Sequence, residues 1–256
     1  MTPRVIYCFR VTAILLIVVL LVILICKEWR SQVIGERLGN RKSTAYVDQW
    51  NYNWDLKSEQ KKTGKKASVT RNVFLVRHGQ FDKETGRLTD LGRQQANLTA
   101  RRLKDIKHPF SNIYYSSMPR AEETAKIIHQ TLNWAKAEAD DGLREGGPVE
   151  PIPRLTHFKM SERSYHIDGP RMESTFRKYF YRHENSMKFQ TYDLLVAHGN
   201  IVRFLLLRAL QLPPAAWMRI ALTHCSITWI MCHPDGTVSA FLVGDSGHLP
   251  KHLVTF

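Results

Sequence analysis

Asn72-Val73-Phe74-Leu75-Val76-Arg77-His78-Gly79 passes from an apolar run straight into a cation, an imidazole and a glycine. Val, Phe and Leu suit a central strand covered on both faces, and in an open α/β sheet ligands sit outside the carboxyl ends of such strands. The stretch therefore predicts a buried strand that delivers Arg77 and His78 to the edge of a site. An imidazole held through one nitrogen can attack phosphorus with the other, provided that a neighbouring arginine neutralises the phosphoryl oxygens. Taken alone, Arg-His-Gly fits a strand-end histidine without any ligand equally well, so the reading depends on partners elsewhere.

One partner repeats the same device. Asp193-Leu194-Leu195-Val196-Ala197-His198-Gly199-Asn200 is again an apolar strand ending in histidine and glycine, followed by a helix from Ile201 to Leu210 that Pro213 and Pro214 terminate. Two such strands in one sheet would bring His78 and His198 to a shared ligand. Between them, Thr89 is the expected N-cap of a helix whose apolar side carries Leu91, Ala96, Leu98 and Leu103. A short strand from Asn112 to Tyr115 leads to Pro119, which fits the first position of a helix reaching about Leu132. Arg120 then lies in a first helical turn, where unpaired N–H groups already favour an anion and a guanidinium adds a bidentate clamp.

Glu145 lies in the glycine- and proline-bounded stretch Gly142 to Pro148, free of helix or sheet constraints. Pro151 to Gly169 lacks periodicity and reads as a long covering loop, and Arg171 to Met187 as a helix with a basic face. Ser226–Cys232 and Thr237–Val243, joined by Pro234-Asp235-Gly236, read as a closing hairpin. Alternating strands and helices with this hairpin predict a layered α/β domain over residues 70–256, helices on both faces of the sheet.

Upstream, every residue from Val11 to Cys26 except Thr12 is apolar. Together with Val5 to Phe9 the run approaches the ~20 residues that cross a bilayer, with Arg10 able to snorkel. Residues 1–28 are therefore expected to form an N-terminal transmembrane helix, retained as an anchor because Lys27, Glu28, Trp29 and Arg30 follow where a signal peptidase would need small residues. Residues 29–69 read as a basic linker carrying one apolar patch, Trp50-Asn51-Tyr52-Asn53-Trp54-Asp55. That patch fits either packing on its own domain or docking on a second copy of the chain.

The 37 Lys and Arg residues against 23 Asp and Glu give a formal charge of +14, which favours anionic partners: phosphorylated substrates, lipid headgroups or nucleic acid. Nucleic acid is disfavoured because the lysines lack aromatic residues interleaved on an organised surface. Cys8, Cys26, Cys225 and Cys232 contain no CxxC pair, and no HExxH occurs, so neither a disulfide framework, a catalytic metal nor a cofactor is expected.

Arg77-His78-Gly79, Ser117-Met118-Pro119-Arg120-Ala121-Glu122-Glu123-Thr124, Leu143-Arg144-Glu145-Gly146 and His198-Gly199-Asn200 together resemble, in order and spacing, the phosphoglycerate-mutase-like branch of the histidine phosphatase superfamily. The N-terminal span, the Trp-x-x-Asn-Trp-Asp element and Pro213-Pro214-x-x-Trp217 resemble its membrane-anchored mitochondrial serine/threonine phosphatases. The resemblance implies that His78 is the phosphorylated nucleophile, that Arg77, Arg120 and His198 form the phosphate pocket, and that Glu145 gives and takes the proton. It further implies phosphoprotein substrates, a mitochondrial membrane, and a homo-oligomer assembled through Trp50, Asn53, Trp54 and Asp55. The alternatives are a phosphoglycerate mutase-type phosphotransferase and a catalytically idle scaffold of the same fold.

Overall fold

The computed structural model describes residues 24, 27–28, 49–57, 69–156, 160–184 and 186–256. The expected membrane segment and most of the basic linker lie outside them, and among the described residues no helix is long and apolar enough to cross a membrane. The chain divides into two compact units, Met1–Asp48 and Gln49–Phe256, and the sheet with its helices belongs to the second.

The elements of that unit, in chain order, are β1 (Arg71–Arg77), α1 (Asp90–Asp105), β2 (Phe110–Tyr115), α2 (Pro119–Thr131), β3 (Lys136–Ala139), α3 (Glu162–Tyr179), β4 (Thr191–Ala197), α4 (Gly199–Ala209), β5 (Ile227–Cys232) and β6 (Val238–Asp245). The strands form one six-stranded sheet in the order β3-β2-β4-β1-β5-β6. β3, β2, β4 and β1 are mutually parallel, whereas β5 and β6 are the antiparallel hairpin expected from Pro234-Asp235-Gly236.

Side chains alternate across a strand, so β1 serves two cores. Val73 and Leu75 face a cluster with Met172 and Phe176 of α3 and Ile201 and Leu205 of α4. Phe74 and Val76 face Ala100 and Leu103 of α1 and Ala125 and Ile128 of α2. Helices thus cover both faces, as the continuous apolar strands predict. Each of these large side chains, fully buried, contributes about 1.5–3 kcal/mol relative to exposure. Cys232 is a buried thiol of the first core, and Cys225 one of a smaller cluster with Ala96 and Leu249.

The structure departs from expectation at Pro151–Gly169. The covering loop ends at Ser161, whose side chain caps the N-terminus of α3 by accepting from the Ser164 amide, and the helix runs through Gly169-Pro170 to end at Tyr179 rather than Met187. That dipeptide reads as a stop. Here the glycine is required because a Cβ would meet the Pro148 carbonyl oxygen at 2.7 Å.

The Trp-rich stretch folds back on its own domain. Trp54 is 4% exposed and packs against Phe176, and the indole N–H groups of Trp50 and Trp54 donate to the same carbonyl, Gly236 O, at 3.0 and 2.9 Å. Asp55 grips Arg182 with both carboxylate oxygens in a buried pair. Residues 49–57 accordingly belong with the folded unit rather than with a linker, leaving Tyr52 and Leu56 exposed beside it.

Candidate active site

Parallel pairing of β1 with β4 sets Arg77 opposite Ala197, so the next residues, His78 and His198, leave the sheet side by side. Their ring centroids are 5.0 Å apart. His78 Nδ1 donates to the Gly79 carbonyl oxygen at 2.7 Å, which leaves the lone pair on Nε2, and Arg120 Nε donates to that nitrogen at 3.0 Å. Burial lowers the His78 pKa well below its ordinary value; His198, Arg120 and Arg77 push it further in the same direction. The imidazole is neutral and nucleophilic at physiological pH. Phe81 stands edge-on to His78, and the Arg120 guanidinium lies 4.5 Å above its ring.

Three structural features beside His78 suit an anion. Ser116 Oγ accepts from the Met118 amide and lies 2.7 Å from His198 Nε2, in hydrogen-bond contact, while His198 Nδ1 is buried without a partner among the described residues. Arg77 donates from Nη1 to Leu222 O and from Nη2 to His224 Nε2 at 3.1 Å, while its Nε is likewise buried and unpartnered. Buried polar atoms without a partner are costly, and two of them in one place call for a ligand. The helices starting here, α2 after Met118 and α4 after His198, have no side-chain cap, whereas α1 is capped by Thr89 and α3 by Ser161. Uncapped N-termini present N–H groups and positive dipole ends to an anion.

Glu145 comes from the loop after the 3₁₀ turn Asp141–Leu143. One carboxylate oxygen accepts from the Gly146 amide at 3.2 Å and the other from the Asn200 amide at 3.4 Å. Desolvation raises its pKa, outweighing those amides and the arginines Arg120 and Arg77, so the site holds a carboxyl group able to carry a proton nearer neutrality than usual. Burial, with Arg203 and Arg120 nearby, draws the Arg77 pKa down to about 10, which leaves it charged at pH 7.

The sequence pointed to His78, His198, Arg77, Arg120 and Glu145, and the structure brings all of them to one sheet edge. Trp50, Asn53, Trp54 and Asp55 lie away from that edge, Trp54 and Asp55 being tied to Gly236 and Arg182. Sequence reasoning missed His224, Arg203 and Ser116. Ser116 directly precedes the Ser117–Thr124 motif, and Arg203 lies one helical turn past Gly199, so a helical projection from the histidine would have found it. His224 sits in a loop without any periodic signal.

Comparison with known proteins agrees with this geometry. The description "Histidine phosphatase superfamily (branch 1)" matches residues 73–243. The chain is 38% identical over 232 residues to "Serine/threonine-protein phosphatase PGAM5, mitochondrial" of Xenopus laevis, covering 81% of this chain and 84% of that protein. It is also 38% identical over 229 residues to the protein of the same description from Caenorhabditis elegans, covering 81% of each. Among solved structures it is similar to phosphoglycerate mutase from Plasmodium falciparum, with a TM-score of 0.54 and 34% identity over 74% of this chain and 99% of that one. With neutral His78 set among Arg77, Arg120, His198 and Glu145, and with this likeness over four-fifths of its relatives, the chain belongs to the histidine phosphatase superfamily, branch 1.

Proposed function

We propose that the chain is a serine/threonine phosphatase that hydrolyses phosphomonoesters of proteins through a phosphohistidine. The observation that carries the reading is the pair of buried nitrogens without a partner among the described residues, His198 Nδ1 and Arg77 Nε, beside an imidazole whose Nε2 alone bears a lone pair. A phosphoryl group seated there has its equatorial oxygens held by Arg77, Arg120 and His198. His78 Nε2 bonds to phosphorus as the P–O bond to the seryl or threonyl oxygen breaks, and Glu145 gives that oxygen its proton. Water then attacks the phosphohistidine and yields its proton to the Glu145 carboxylate, releasing phosphate and neutral His78. The relatives named as protein phosphatases support a phosphoprotein substrate over phosphoglycerate.

The decisive experiment mixes a phosphoserine or phosphothreonine peptide panel, and phosphoglycerate as control, with wild type and His78→Ala. Acid-labile, alkali-stable phosphate on wild type alone, with release from the peptides, is expected. Phosphate trapped on another residue, or turnover of phosphoglycerate only, would overturn the reading.

The membrane reading rests on the apolar run Val11–Cys26 together with relatives described as mitochondrial. A mitochondrial membrane attachment through residues 1–28 predicts that removing them yields a soluble, active enzyme. Self-association through the segment that carries Trp50, Asn53, Trp54 and Asp55 is supported by the exposed Tyr52 and Leu56 that it presents, Trp54 and Asp55 holding it in place. Trp54→Ala should then lower the mass seen by light scattering along with phosphopeptide turnover; an unchanged mass would leave local packing as the segment's role.

A further inference from the structure

The segment Leu253–Thr255, which follows β6, has no part in the chemistry above, yet two chains of hydrogen bonds connect it to the nucleophile. One starts before His78. Arg77 Nη2 donates to His224 Nε2 at 3.1 Å, which fixes the His224 proton on Nδ1, and this donates to Thr255 Oγ1 at 2.9 Å. Burial, with Arg77 beside it, lowers the His224 pKa to about 3, so the ring is a neutral acceptor for the arginine. The other starts after His78. The Gln80 amide donates to Gln95 Oε1 at 2.8 Å, and Gln95 Nε2 donates to Thr255 Oγ1 at 2.9 Å and to Leu253 O at 2.6 Å. A backbone bond from the His224 amide to Thr255 O at 2.9 Å completes the arrangement.

We infer that Thr255 is a positioning residue for phosphoryl transfer: its hydroxyl ties together the two sides of the nucleophile's turn, Arg77 through His224 and Gln80 through Gln95. The inference rests on the reading of Arg77 as a phosphate ligand. His224 and Leu222 O occupy the Nη groups of Arg77 and thereby aim its unpartnered Nε at the pocket. Without the hydroxyl, His224 Nδ1–H and Gln95 Nε2–H each lose an acceptor, the imidazole is free to rotate, and the guanidinium loses its fixed direction.

Thr255→Val keeps the shape and removes the acceptor; Thr255→Ser restores it. Inorganic phosphate binding, by calorimetry, reads the Arg77 pocket without turnover, and phosphopeptide kinetics reads the reaction. Thr255→Val is expected to weaken phosphate binding and to lower kcat/KM by roughly 10-fold or more, the scale of small misplacements outside the reacting atoms. Thr255→Ser should behave as wild type. His224→Phe should reproduce the loss of phosphate binding, and combining it with Thr255→Val should add little to that loss, because both cut the chain to Arg77. Wild-type phosphate affinity in Thr255→Val, an equal loss in Thr255→Ser, or additive losses of phosphate affinity in the double variant would overturn the inference. If Thr255→Val does not fold, His224→Phe compared with Thr255→Ser carries the same test. Wild type that binds phosphate but turns over no phosphopeptide defeats the phosphatase reading and leaves the latch to be judged by calorimetry.

Discussion

His78 illustrates how one side chain acquires a role from its neighbours: a nitrogen committed to Gly79 O, a second nitrogen facing Arg120, and a pKa held low by burial. His78→Ala should abolish turnover and phosphoenzyme formation while the circular dichroism melt stays unchanged; a retained phosphoenzyme would sink the assignment. Arg120→Ala removes the donor to His78 Nε2 and, under the proposed function, one phosphate clamp, and should reduce kcat/KM by roughly 100-fold or more. An effect of only a few-fold would mean that the phosphoryl group sits elsewhere. For Glu145 the pKa is raised, so its protonated form persists to higher pH, and because the acid is consumed in the first step, kcat/KM should fall as pH rises through that pKa. Glu145→Gln should remove this limb and cost roughly 10²–10⁴ in rate on phosphopeptides. Nitrophenyl phosphate, whose leaving group needs no proton, should suffer much less. His78 and Arg120 were legible because each sits at an abrupt change of pattern, an apolar strand or a proline-led helix meeting a charge, whereas Glu145, a loop carboxylate, was singled out by the family resemblance. His224 was not, since its role depends on a bond to Thr255 made only after the chain has closed on itself.

At the scale of elements, periodicity disclosed β1, β4, α1, α2, α4 and the hairpin, because apolar spacing and caps there agree. It failed at α3, where Gly169-Pro170 resembles a boundary and the reason for the glycine, contact with Pro148, is tertiary. It also passed over β3, whose Lys136-Ala137-Glu138-Ala139 is exposed along its length and is a strand only because it pairs with β2. α1 supplies a test of element placement. A Cβ on Gly92 would lie 1.9 Å from Gln80 O, and one on Gly79 would lie 2.6 Å from Gly92 O, so helix and nucleophile turn meet glycine to glycine. Gly92→Ala must push the two backbones apart, costing about 1–3 kcal/mol in stability as overpacking does, and should lower activity beyond that loss by displacing His78. Urea unfolding alongside phosphopeptide kinetics checks it, and unchanged values for both would show that the turn can move freely.

For the molecule as a whole, the segment 49–57 matters as much as any helix. Removing one member of the buried Asp55–Arg182 pair strands the other charge, so Asp55→Ala should cost about 3–5 kcal/mol in urea unfolding. Burial pushes the Asp55 pKa up, but the hydrogen bonds and charge of Arg182 outweigh it and the net shift is downward. A carboxylate depressed in the folded state contributes its stabilisation above the unfolded value of about 3.9, and loses it as pH falls through the lower folded value. Wild type should therefore lose stability on acidification below that point more steeply than Asp55→Ala; parallel curves would exclude the linkage.

Gly236 O, held by two indoles at the tip of the β5–β6 hairpin, also decides how the molecule responds to tension. A pull applied at Gln49 does not reach β1 first. The bonds of Trp50 and Trp54 to the hairpin and of Asp55 to Arg182 would meet it first. Such a segment would serve as a strain relief, sparing the strand that carries His78 until that grip has yielded.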